Sequence, residues 1–213
     1  ETPHPENPME ANKTALVLIG MQKDWFHPEG NLRPLIESEV RDRNMLENSL
    51  DLLVAAASTN LHVIVAPTLF QPGYPELVDP VGVLAAIRDA GALQEGKLGG
   101  ELLDEIQAMG SRAQVLPGKH GMNAFIDTGL EKTLRDLGVT TIALAGVATS
   151  LCIDTTARTA YELGFRVQIV TDCIAGRTAI EDKVYCEEIF PMYADTVTSE
   201  EFLGAIGATV ETA

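Results

Sequence analysis

The segment Gly146-Val-Ala-Thr-Ser-Leu-Cys152 sits between an apolar run (141–145) and a stretch with helical character (150–163). A cysteine in the first turn of a helix feels the positive end of the helix dipole, which favours the thiolate, the reactive form of the group. The backbone N–H groups there lack helical partners and can bind the oxyanion of an attacked carbonyl. Such a cysteine is either a nucleophile or a small buried apolar residue. Cys173 and Cys186 lack this setting and read as structural.

Lys119, in VLPGKHGMNAF, is predicted to leave a strand on the same side of the molecule as Cys152. An ammonium there could hold a thiolate or a developing oxyanion; a solvated surface charge is the ordinary alternative. His120 invites a Cys–His dyad, with imidazole as base. His4, His27, His62 and His120 show no metal-ligand spacing, and His62 reads as a strand histidine satisfied within the fold.

These residues need a scaffold, and strand and helix signals alternate along the chain. Residues 15–19 (ALVLI), 61–66 (LHVIVA), 113–116, 141–145 (TIALA), 165–170 (FRVQIV) and a short piece around 196–197 read as strands. Helices are predicted over 37–58, 100–109, 130–137, 150–163, 180–192 and 199–206. This alternation predicts an α/β fold: an open, mostly parallel six-stranded sheet, Rossmann-like, with helices on both faces. Ligands bind such sheets beyond the carboxyl ends of the strands, where Cys152 and Lys119 fall. Residues 67–100, rich in Gly and Pro, contain no strong strand and read as an active-site cover or a surface excursion. Residues 1–12, polar with three prolines, read as an N-terminal arm to a single domain over 13–213.

Fifteen basic against 31 acidic residues leave a formal charge of −16, which argues against nucleic acid or an anionic membrane as partner. No apolar run reaches the roughly 18–20 residues a bilayer span needs, and no signal-peptide pattern opens the sequence. Three cysteines without a CxxC pair indicate neither a disulfide scaffold nor a zinc site, so a reducing cytoplasm is expected.

Four spaced segments, ALVLIGMQKDWF (15–26), KHGMNAFIDTGL (119–130), LAGVATSLCIDTTARTAYELGF (144–165) and VTDCIAG (170–176), make the chain resemble the isochorismatase-like cysteine hydrolases, in their non-metal amidase branch. The resemblance runs over nearly the whole chain. It implies catalysis by a Cys–Lys–Asp trio, with Cys152 as nucleophile and Lys119 as its cation. It further implies a cis peptide at Val147–Ala148 and an oxyanion site formed by the N–H groups of Ala148 and Cys152. A homodimer or homotetramer is also implied, and apolar residues in the cover (Val81, Val83, Leu84, Ile87) need burial, for which a closed symmetric assembly is the usual means.

One position departs from the family pattern. Members carry aspartate directly after the first strand, as base; here Gly20 stands there, in Ile19-Gly-Met-Gln-Lys-Asp24. Glycine cannot move a proton, and Asp24 reads as a loop organiser that does not replace the base. The histidine-bearing metal motif of nicotinamidases is missing from APTLFQPGYPEL (66–77), so neither metal nor cofactor is expected. Trp25, Phe26, Phe70 and Tyr74 are candidates for an apolar pocket wall. The expected activity is cleavage of an amide- or ureido-type C–N bond in a small carbonyl substrate through a Cys152 thioester, impaired by Gly20. The alternatives are a non-catalytic ligand-binding protein on the same scaffold and an isochorismate-type ether hydrolase.

Overall fold

The computed structural model describes residues 9–208. Six strands, β1 (Thr14–Ile19), β2 (His62–Ala66), β3 (Ala113–Val115), β4 (Thr141–Val147), β5 (Arg166–Ala175) and β6 (Asp195–Val197), form one sheet in the order β3-β2-β1-β4-β5-β6. Every neighbouring pair is parallel. The two central strands, β1 and β4, are buried at every residue, which is why each reads as an unbroken apolar run.

Alternate residues of β1 supply the two cores. Leu16 and Leu18 pack with Met45, Leu52, Leu53, Phe202 and Leu203 on one face. Ala15, Val17 and Ile19 pack with Leu130, Leu134, Ala157 and Ala160 on the other. The helices that carry these side chains follow in chain order: α1 (Lys23–Phe26), α2 (Glu37–Asp42), α3 (Met45–Ala57), α4 (Gly82–Asp89), α5 (Asp104–Ala108), α6 (Leu130–Asp136), α7 (Asp154–Glu162), α8 (Ala179–Val184) and α9 (Ser199–Ala205).

Several predicted helices divide. The stretch 37–58 breaks at Asn44, whose φ of 51° is left-handed. This turn lets Arg43 donate to the carbonyl oxygens of Thr171 and Ile174 across the fold. The helix predicted over 150–163 begins as a widened π turn, Thr149–Ile153, before regular α7. The one predicted over 180–192 is α8, a second π turn (Tyr185–Ile189) and a 3-10 turn closed around Pro191. The helix expected over 100–109 shortens to α5, after a 3-10 turn at Leu98–Gly100. Helix α4 was missed, inside the stretch read as a cover. Of the predicted arm, residues 1–8 lie outside the described residues, while Met9 and Ala11 pack against the main core. No described helix is long and apolar enough to cross a membrane.

The strand order reverses between β1 and β4, and this opens a crevice at their carboxyl ends. Ile19 pairs with Gly146 there. A Cβ on Gly146 would sit 1.9 Å from the Ile19 carbonyl oxygen, so only glycine permits this approach. Gly20 leaves β1 and Ala148 leaves β4 at the same point.

Candidate active site

Beyond these strand ends lies a cavity of about 20 Å³, room for little more than one water. Its floor comes from the two central strand ends (Gly20, Val147, Ala148) and the π turn (Leu151, Cys152). Its roof is Val83, Leu84 and Ile87 of α4, with Leu93 beyond the helix. Trp25, Thr68, Gly121 and Met122 close the sides. The Val147–Ala148 peptide is cis.

Cys152 is half-buried in the π turn, and its sulfur lies 3.6 Å from Lys119 Nζ. Lys119 is only 1% exposed. A bridge between Thr68 and Lys119, which extends the β2–β3 edge of the sheet, fixes the lysine backbone. The ammonium donates to Thr68 Oγ1 and to the Gly121 carbonyl oxygen, and its third direction meets the thiol. No carboxylate among the described residues pairs with it, because every ion pair formed there uses other cations. A buried ammonium is costly without a negative partner, so this one is placed to hold negative charge on the Cys152 sulfur or on an atom bound to it.

Gln22 organises the wall behind Lys119. Its side-chain nitrogen donates to the Thr68 and Gly100 carbonyl oxygens, and its oxygen accepts from Thr68 N–H. This amide clasps the loop after β2 to the turn before α5.

The turn that carries Cys152 is held from α8. Thr149 Oγ1 donates to Asp182 Oδ1, which also accepts from Gly176 N–H. Ser150 donates from its hydroxyl and backbone to Glu181 Oε1. Arg43 Nη1 lies 2.8 Å from Asp182 Oδ2 but without hydrogen-bond alignment, since the guanidinium is turned toward the two backbone carbonyls named above; we read it as a close ion contact.

The structure gathers Cys152, Lys119, Gly20, Val147, Ala148 and Trp25 around the crevice. Gly20 has φ +68°, and a Cβ there would lie 2.9 Å from both Val147 Cγ2 and the Val147 carbonyl oxygen. The other three aromatic candidates do not line the cavity. Phe70 is fully buried and packs on Tyr74 and His120. Tyr74 donates to the Ala92 carbonyl oxygen, and burial pushes its hydroxyl pKa up. Phe26 packs against the main core. His120 forms no dyad with Cys152, because its Nδ1 donates to the Leu69 carbonyl oxygen and the ring faces solvent. His62 Nε2 meets the Asn12 carbonyl oxygen.

Asp24 is buried, and its carboxylate accepts from the N–H groups of Asn31 and Leu93. It ties the first loop to the loop after α4, and both oxygens are engaged away from the thiol. Val83, Leu84 and Ile87, expected to be buried by a partner subunit, instead roof the cavity of their own chain; Val81 is 83% exposed. Their spacing, i, i+1 and i+4, was the signal for a helix face that the Gly/Pro content of the segment masked. Thr68 and Gly121 carried no sequence signal, because they act through one hydroxyl and one carbonyl. Among the described residues, no three His, Cys, Asp or Glu side chains lie close enough together to hold a metal ion.

A parallel sheet with a half-buried thiol and a buried lysine at its strand-order reversal defines an α/β protein of the cysteine-hydrolase architecture. Residues 14–201 match the isochorismatase domain model, and the chain belongs to that family. It is 29% identical over 191 residues to maleamate amidohydrolase of Pseudomonas putida, a match covering 89% of this chain and 84% of that protein. It is 36% identical over 85 residues to the isochorismatase family protein YwoC of Bacillus subtilis, covering 40% of this chain and 45% of that one, so the match spans about half the length of this relative. The crystal structure of a cysteine hydrolase from Pseudomonas syringae pv. phaseolicola superposes with a TM-score of 0.83 over 97% of this chain and 98% of that one, at 20% identity; this likeness concerns the fold.

Proposed function

We propose that this chain is a thiol-dependent amidohydrolase acting on a small carbonyl substrate, with Cys152 as nucleophile. The observation that carries the reading is the contact between the Cys152 sulfur and the fully buried, carboxylate-free Lys119 ammonium. The sulfur attacks the carbonyl carbon; a C–S bond forms and the C=O π pair moves onto oxygen. The N–H groups of Ala148 and Cys152 receive that charge, with Lys119 nearby. Collapse breaks the C–N bond, the amine leaves with the proton first held by the thiol, and a thioester remains. Water then hydrolyses it.

Proton movement in both halves calls for a base beside the sulfur, and Gly20 supplies none. Acylation by a reactive donor can proceed without it, whereas attack by water on the thioester needs it more. The chain is therefore a slow hydrolase that accumulates its acyl form. A second reading, a ligand-binding protein on the same scaffold, draws on Gly20 as well: its left-handed backbone and its closeness to Val147 both suit glycine. The amidase relative favours the catalytic reading.

Treatment with 4-nitrophenyl butyrate, an activated acyl donor, tests this. About one equivalent of nitrophenolate should appear in a burst, and intact mass spectrometry should find a butyryl group on Cys152. A chain that gains no acyl group, or gains it on Cys173 or Cys186, overturns the assignment.

A further inference from the structure

Resting on that reading of Cys152, we infer that the site takes uncharged carbonyl compounds with a small aliphatic group and rejects those bearing a carboxylate. The cavity wall carries the argument. Val83, Leu84, Ile87, Leu93, Met122 and Leu151 line the same cavity as Cys152, and no carboxylate, lysine, arginine or histidine side chain lines it. The polar groups at the wall are neutral: the Thr68 hydroxyl, the Trp25 indole and the backbone of the strand ends.

A substrate carboxylate brought here must shed its water, and it regains no cation in exchange. Lys119 is the ammonium that meets the sulfur, and no lysine or arginine among the described residues lines the cavity. It lies behind the lining, and its donors are already directed to Thr68, Gly121 and the thiol. An unpaired carboxylate in apolar surroundings is strongly disfavoured, whereas an alkyl group gains from leaving water. A formal charge of −16 adds long-range repulsion of anions, which salt screens. This separates the chain from its relative maleamate amidohydrolase, which is named for a carboxylate-bearing amide.

Size is set by α4. The present cavity of about 20 Å³ holds no amide of several heavy atoms, so α4 must move outward for a ligand to enter. The segment that follows this helix is pinned by Asp24 to Leu93 N–H and by Tyr74 to the Ala92 carbonyl oxygen. The approach to the helix is looser: Val78 and Val81 are exposed and Asp79 is left-handed. The roof side chains Val83 and Leu84, on the first turn of α4, are therefore the ones that yield and contact the aliphatic group.

Alkylation rates at Cys152, read by peptide mass spectrometry, test the inference without requiring turnover. Iodoacetamide and iodoacetate deliver the same carbon without and with a carboxylate, respectively, and glutathione supplies the intrinsic reactivity ratio. Cys152 should prefer iodoacetamide at least tenfold more than glutathione does, at low salt and at 0.5 M NaCl alike. A preference that vanishes at high salt assigns the effect to overall charge and overturns the inference; so does equal or faster reaction with iodoacetate. Leu84→Arg should raise the iodoacetate rate relative to iodoacetamide, and Leu84→Ala should speed bulkier neutral reagents such as N-cyclohexylmaleimide. If Cys152 resists both reagents while Cys186 is labelled, the nucleophile assignment fails instead, so the two failures are distinct.

Discussion

Restoring the carboxylate after β1 by Gly20→Asp sets a chemical gain against a structural cost. General base catalysis is worth ~10²–10⁴-fold, or about 3–5 kcal/mol of barrier. Gly20 and Cys152 line the same narrow cavity, so a carboxylate at position 20 is expected to come within reach of the thiol. The cost is local. The backbone at φ +68° is left-handed, which Asp tolerates better than most residues, and the new Cβ must displace the Val147 carbonyl from 2.9 Å. Strain of this type costs about 1–3 kcal/mol. For a domain of this length that amounts to a melting temperature lower by ~3–10 °C. The strain falls mainly on folding stability, whereas the base acts on the barrier, so the two effects are measured separately.

The assay is the rate at which the butyryl–Cys152 thioester loses its acyl group in a single turnover. Gly20→Asp should accelerate it by about a hundredfold or more. Gly20→Asn, which imposes the same strain without a base, should not. An Asp variant that melts cooperatively within the stated range yet deacylates no faster than the parent refutes the view that Gly20 marks a missing base.

Electrophiles should modify Cys152 before Cys173 and Cys186: Cys173 is fully buried with its thiol pKa driven up by burial, and burial pushes that of Cys186 up to about 11. Lys119→Ala should slow alkylation of Cys152 at pH 7 by about tenfold or more, the usual worth of an opposite charge at this distance; labelling of Cys173 or Cys186 first contradicts the assignment. Both structural thiols hold their protons more tightly folded than unfolded. Their contribution is therefore intact below pH 9 and is lost as pH rises from there, toward 11 for Cys186 and beyond that for Cys173. Urea midpoints should fall from pH 9 upward, and Cys186→Ala should blunt the fall; an unchanged slope in that variant counts against it. Light scattering at physiological salt should give a dimer or tetramer, since Val54, Ile180 and Met192 remain more than 70% exposed; a monomeric mass at micromolar concentration refutes this.

Strand positions and order of elements were legible because a parallel sheet buried on both faces leaves unbroken apolar runs, as in β1 and β4. The placing of Cys152 was legible because it stands where a strand hands over to a helix, and that of Lys119 because it follows another strand of the same sheet. Helix breaks were not legible, since the turn at Asn44 answers to Arg43 reaching distant carbonyls, a contact no local window contains. The pocket wall was misplaced for a related reason. Large aromatics near the strand ends suggested themselves as lining, yet Phe70 and Tyr74 are large enough to be drawn fully into the core. The space beside the thiol was left to Val83, Leu84 and Ile87, on a helix that local composition disfavours. Residue type and spacing determine which groups can react. Which side chains surround them is decided by competition for buried volume among segments far apart in sequence, and only the folded chain resolves it.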